Sequence, residues 1–181
     1  MTTSYEVARD FVEVRGPEAA TYLQGQLSQD VETLAVGAAA FAFVLQPTGK
    51  VDAWVRVLRL GDDHFVVDVD GGWGEDLTAR LQRFLLRTKA DITPLDWACV
   101  ALRRGPDDAE LPLVPGDEVP DGWAVTSGWP ESAPGGPGVD LVGPGVSVPS
   151  AVPDGSQAAY EAARVVGPQT AQGNNKHKKT N

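Results

Sequence analysis

The apolar positions of this chain switch between a period of two and steps of three and four, and the switches fall at Gly or Pro. Phe11-Val12-Glu13-Val14 alternates as a short strand, and Gly16-Pro17 ends it. Pro17 suits the first turn of a helix, where its missing N–H is not needed. Ala20, Leu23, Leu27, Val31 and Leu34 then form a helical stripe, which Gly25 is expected to divide into two short helices. A strand is predicted over 39–46, a tight turn at Pro47-Thr48-Gly49-Lys50, and a second strand over 51–60. Gly61-Asp62-Asp63 turns the chain into a third strand, 64–69, which completes an antiparallel meander. Trp73, Leu77, Leu81, Phe84 and Leu85 share one helix face, with Glu75 and Asp76 in the first turn and Arg83 and Arg87 near the end, as the helix dipole favours. Segments 90–94 and 97–102 read as further strands. The spacing is not that of regular βαβ units, so the expected class is α+β with a mostly antiparallel sheet.

Composition shifts after Gly105. From 106 to 153 the chain is rich in Pro and Gly, with short strands predicted at 122–126 and 139–142. Ser156 is placed to cap a helix over 157–166, and the polar segment 167–181 is expected to be disordered. The expected organisation is an α+β core over 1–105, a Pro/Gly-rich continuation over 106–166, and a tail over 167–181.

The charge narrows the function classes. The 181 residues carry a formal net charge of −10, which repels a phosphate backbone and disfavours general nucleic-acid binding. Arg80, Arg83, Arg87 and Lys89 are the only dense basic group in the body of the chain. The single cysteine, Cys99, excludes an internal disulfide and a Cys-rich metal site, and its apolar neighbours Ala98 and Val100 make it a core thiol. His64 and His177 cannot assemble a Ser-His-Asp, Cys-His or His-rich metal constellation, so no catalytic or metal residue is expected. No window approaches the roughly 18–20 apolar residues of a membrane span. Residues 1–10 lack the apolar region of a secretory signal. A cytoplasmic protein with no membrane partner is expected.

Candidate chemistry centres on the strand after the tight turn. Val51, Ala53, Val55 and Val57 alternate with Asp52, Trp54, Arg56 and Leu58. A carboxylate, an indole and a guanidinium in a row have two readings: a Trp packed over a salt bridge, or a strand lining a pocket for a flat, partly polar ligand. Lys50 is either a solvated turn lysine or a cation that meets an anionic ligand. Asp68 and Asp70 share one face of the third strand, either as exposed carboxylates at its end or as acceptors for a ligand's amino edge. Gly71-Gly72-Trp73-Gly74 is a simple turn or a phosphate cradle at a helix N-terminus.

Three ordered motifs carry a family resemblance. They are Tyr22 to Val31 (YLQGQLSQDV), Leu45 to Val51 (LQPTGKV) and Arg83 to Asp91 (RFLLRTKAD). Together they resemble the N-terminal half of the YgfZ-type folate-binding proteins, relatives of the aminomethyltransferase (T protein) of the glycine cleavage system. The resemblance runs from about Asp10 to Cys99, and more faintly to Val166. It implies a cytosolic tetrahydrofolate-binding protein that assists iron–sulfur cluster assembly or repair, and through it tRNA modification, with iron–sulfur proteins as partners. It places folate against Lys50, Asp52, Trp54, Arg56 and Asp70. Gln24, Gly25, Gln26, Asp30 and Gly49 belong to the motifs as structural or binding residues, with Asp30 placed to cap the segment running into Leu34. Two departures matter. The T protein carries an acidic pair after the Gly-Lys turn, and the matching positions here are Ala53 and Trp54, with Asp52 one step early. The Lys-Gly-Cys-Tyr-x-Gly-Gln-Glu signature of the YgfZ type is absent, as is the C-terminal β-domain that accompanies it. The expectation is a truncated form that binds rather than turns over. A folate-dependent one-carbon transferase and an acidic interaction fragment without a ligand are the alternatives.

Overall fold

The computed structural model describes residues 2–103, 121–127, 138–148 and 152–166. The predicted tail over 167–181, and most of the predicted loop between 106 and 153, lie outside them. The described elements are β1 (Thr3–Val7), β2 (Arg9–Arg15), α1 (Ala19–Gln24), β3 (Ala39–Leu45), β4 (Val51–Gly61), β5 (His64–Asp70) and α2 (Gly74–Gln82). They continue with β6 (Asp91–Leu95), β7 (Ala98–Arg103), β8 (Ala124–Ser127), β9 (Val139–Gly143) and α3 (Gln157–Val166). Every strand pair is antiparallel, and the class is α+β. By contacts the chain falls into two units, Arg9–Asp96, and Met1–Ala8 together with Trp97–Asn181. The linear division at 105 and this one differ because β1, at the front of the chain, pairs with β7.

In the unit 9–96, five strands lie in the order β3-β4-β5-β2-β6. The expected meander is β3-β4-β5, and β2 then pairs with β5 so that Val12 faces Val67 and Val14 faces Phe65. One sheet face is aliphatic. Ala42, Val44, Val55, Val57, Val67, Val69, Val12 and Val14 are buried there against Tyr22 and Leu23 of α1 and Leu77 and Leu81 of α2. The Tyr22 hydroxyl donates to the Leu81 carbonyl at 2.5 Å. Burial pushes the Tyr22 phenol up to about 12, with Arg80 pulling the other way.

The helical stripe from Ala20 to Leu34 is helix only as far as Gln24. Leu27 and Val31 still reach the core, but through an irregular segment laid along the edge of β3. Ser28 N–H donates to the Phe43 carbonyl at 2.9 Å and Leu45 N–H to the Gln26 carbonyl at 3.2 Å. Backbone groups engaged by a strand edge cannot also serve a helix, so the second expected helix does not form.

The other unit holds four strands in the order β1-β7-β9-β8. Val100, Leu102, Leu141 and Val146 form one cluster, Ala101 and Tyr160 another, and Cys99 is buried as expected. Arg103 Nη2 lies 2.8 Å from Asp140 Oδ1. Burial works against the Arg103 charge, yet Asp140, helped by Tyr160 and Cys99, outweighs it and the guanidinium stands above its ordinary value. Ser156 Oγ accepts from Ala159 N–H at 3.2 Å, the cap expected for α3. No described helix is long and apolar enough to cross a membrane.

Candidate functional site

The face of the five-stranded sheet opposite its aliphatic core carries charged and aromatic side chains beside the buried Leu58 and Val66. Register sets Phe41 opposite Arg56, Arg56 opposite Asp68, Asp68 opposite Phe11, and Phe11 opposite Leu95. Phe43 faces Trp54 in the next row. The Trp54 and Phe41 rings stack with centroids 4.9 Å apart and planes 14° apart, and the Arg56 guanidinium lies 6.0 Å from the Phe41 centroid. Trp54 is half-buried, and Phe43 is 42% exposed.

The charges on this face are engaged with one another. Asp68 is 0% exposed and Arg56 1%. Arg56 Nε donates to Asp68 Oδ2 at 2.8 Å. Arg9 Nε donates to Asp68 Oδ1 at 2.7 Å, and Arg9 Nη1 to Asp70 Oδ1 at 2.7 Å. Two guanidinium groups and two carboxylates therefore balance in one buried network. Burial alone would lower the Arg9 pKa, and Arg56 adds to that, but Asp68 and Asp70 outweigh both and hold it above the ordinary value. The reading of Asp68 and Asp70 as exposed carboxylates is thereby corrected. Unpaired, they would carry a desolvation cost, and Arg9 and Arg56 offset it. Arg56, expected as a ligand-facing cation, is a buried counter-ion.

Asp52 also departs from the expected row. The β3–β4 pairing runs Val44 to Ala53, then Leu45 to Val51, so Asp52 is the extra residue of a β-bulge. A bulge breaks the period-two alternation and re-aims a side chain. Asp52 is drawn to α2, where Arg80 Nε donates to its Oδ2 at 3.0 Å, and Gln46 Nε2, just after β3, donates to its Oδ1 at 3.2 Å. Arg80 gathers the surrounding segments. It also donates to Gln26 Oε1 at 3.1 Å and to the Leu45 carbonyl at 2.7 Å, and its guanidinium lies 4.1 Å from the Phe84 ring centroid. Beyond the bulge the hairpin tip holds Gly49 at φ 78 and an exposed Lys50.

The first motif acts within the chain. Gln24 Oε1 accepts from Val31 N–H at 2.7 Å and Glu32 N–H at 3.2 Å, and Asp30 Oδ1 accepts from Thr33 N–H at 3.3 Å. Nothing in the backbone angles of Gly25 requires a glycine. The Gly-rich turn before α2 already holds an anion of its own. Asp10 Oδ2 accepts from Gly72 N–H and from Gly74 N–H, each at 2.8 Å. A Cβ on Gly74 would stand 2.7 Å from the Asp10 Cβ, so the carboxylate and the bare turn fit together. Sequence spacing gave no signal for this partner, which lies 64 residues away. Asp10→Ala removes a charged acceptor from two N–H groups at a helix start. It is expected to cost about 2 kcal/mol in urea unfolding, while added phosphate restores little of it. Among the described residues, no group of His, Cys, Asp and Glu is arranged to hold a metal ion.

The mostly antiparallel α+β fold is similar to that of the glycine cleavage T-protein N-terminal domain. The GCVT N-terminal domain model matches residues 9–111, more than half of the 181, and the chain belongs to that family. The glycine cleavage system aminomethyltransferase T from Bartonella henselae superposes with a TM-score of 0.65 at 19% identity, over 79% of this chain and 42% of that one. At that identity the likeness is one of fold. An uncharacterized protein of Haemophilus influenzae (strain ATCC 51907 / DSM 11121 / KW20 / Rd) is 30% identical over 91 residues. The match takes in 50% of this chain and 32% of that relative's own length.

Proposed function

We propose that this chain is a tetrahydrofolate-binding domain that holds its ligand without turning it over. The observation that carries this reading is the aromatic strip on β3 and β4. An exposed Phe43 beside Trp54, itself stacked on Phe41, offers a flat apolar wall with polar groups at its border. A pteridine fits such a wall. Asp70, at the end of β5, would share its acceptor oxygens between Arg9 and the amino edge of the ring. Lys50, in the hairpin tip four residues from Trp54 and so at most about 13 Å along the chain, would meet the glutamate end. In this reading Arg56 and Asp52 touch no ligand; they hold the sheet and the hairpin.

The reading favours binding over turnover because Ala53 and Trp54 stand where the related transferases carry their acidic pair, and Asp52 is tied to Arg80. The motif resemblance to the YgfZ type extends the proposal to assistance of iron–sulfur cluster assembly or repair in the cytoplasm, with iron–sulfur proteins as partners. Family membership keeps aminomethyl transfer as a second reading, distinguished by turnover with added glycine-cleavage partner proteins.

Titration of tetrahydrofolate into the protein, followed by tryptophan fluorescence, tests the proposal. A saturable change is expected, and Trp54→Ala should weaken binding about tenfold, the value of one lost aromatic stack. No saturable change at high micromolar tetrahydrofolate would overturn it.

A further inference from the structure

The third motif, Arg83 to Asp91, takes no part in the aromatic strip, and its geometry is unusual. After α2 the chain turns through Leu85, Leu86, Arg87 and Thr88, closed by Thr88 N–H donating to the Leu85 carbonyl at 3.3 Å. Arg87 has φ 61, the only positive φ of a non-glycine among the described residues. That is the position which a type II turn gives to glycine, and a side chain there is strained. Leu86 is 83% exposed, the most exposed of the large apolar side chains described.

The turn is pinned at both ends. Leu85 and Ala90 pack on the aliphatic core. Glu18 accepts from Lys89 N–H at 2.7 Å through its carboxylate and donates its own N–H to the Lys89 carbonyl at 3.2 Å. An aliphatic side chain is thus held in water by a fixed, strained backbone. Strain kept in place by its surroundings is found at binding and switch sites. Next to Leu86 along the chain, Arg83, Arg87 and Lys89 are exposed, no acidic residue falls between Asp76 and Asp91, and the Glu18 carboxylate reaches the turn at Lys89 N–H. Exposed Arg15 adds a fourth basic residue near Asp91, its register partner. On a chain of net charge −10 this is a local reversal of sign.

We infer that the turn 85–88 is a docking knob for an acidic segment of a partner protein, with Leu86 entering an apolar recess and Arg83, Arg87 and Lys89 pairing with the carboxylates around it. Charge complementarity and the apolar tip choose this partner. A nucleic-acid backbone meets the cations but offers no recess to an aliphatic tip, and the acidic remainder of the chain repels a long polyanion. A pinned turn also binds with little ordering cost. The inference is independent of the folate reading, since it uses none of those residues.

The test uses the full chain and a fluorescein-labelled peptide of glutamates with leucines spaced three and four apart, followed by anisotropy. Leu86→Ala and Arg87→Glu should each weaken binding by about tenfold or more, and raised salt should weaken it further. Arg87→Gly relieves the left-handed strain, so it should raise the melting temperature while still weakening the peptide. Equal binding by the wild type and Leu86→Ala would overturn the inference. So would an oligonucleotide that binds as tightly as the peptide without regard to Leu86. Self-association of the wild type that Leu86→Ala abolishes would overturn it in favour of a second copy. Tetrahydrofolate titration of the same variants should be unchanged, which separates this result from the fate of the folate proposal.

Discussion

Asp68→Asn is expected to destabilise the five-stranded unit by about 3–5 kcal/mol, the cost of stranding buried charge. The carboxylate has no exposed surface and takes Arg9 on one oxygen and Arg56 on both. An amide of the same shape supplies one acceptor and no charge, leaving two guanidinium groups to face each other with Asp70 alone to balance them. Asp70→Asn should cost less, because its side chain is 13% exposed and retains water. Urea unfolding read by tryptophan fluorescence measures both, since Trp54 stands in the same sheet. Adding Arg56→Met to Asp68→Asn should recover part of the loss by removing one orphaned cation, a coupling that a double-mutant cycle isolates. A loss below about 1 kcal/mol for Asp68→Asn would show that water reaches the network.

Gly16→Ala is the second large effect, about 3 kcal/mol from steric overlap and backbone strain together. Gly16 has φ 144, and a Cβ there would fall on the Lys89 carbonyl oxygen and 2.8 Å from the Ala90 Cα. These are backbone atoms that cannot rotate aside as a side chain would. Gly16 N–H also donates to the Asp63 carbonyl at 2.9 Å, so moving it disturbs the β4–β5 turn as well. The same unfolding measurement should show the loss, and an unchanged midpoint would mean that the approach of 16 to 89 is looser than described.

These two positions show what the sequence reveals and what it hides. The meander 39–70 and α2 were legible because turn chemistry and hydrophobic period agree there. Cross-strand partners were not. Counted from Gly61 opposite His64 in unbroken register, Arg56 would face Val69 on the aliphatic side. The irregularity between Arg59 and Gly61 moves it opposite Asp68. A second irregularity takes Asp52 out of its row. A single extra residue reverses which face a side chain occupies, and nothing in period-two spacing announces it. Arg9 was invisible as a partner because 59 residues separate it from Asp68. β1 escaped notice because Thr3-Ser4-Tyr5-Glu6-Val7 has little apolar pattern, and its partner is 92 residues downstream at Val7–Cys99. The aromatic strip was half legible. Trp54 stood out between two charges, while Phe41 and Phe43 read as ordinary strand residues.

The wide gap between β1 and β7 bears on the birth of the molecule. On a ribosome adding roughly 5–20 residues per second, the first strand emerges on the order of 5–20 s before its neighbour exists. Over that interval the stretch 9–96 can complete its own sheet, while the five residues of β1 wait for the strand they pair with. A newborn chain of this kind gains from any escort that shields β1 until β7 has cleared the exit tunnel.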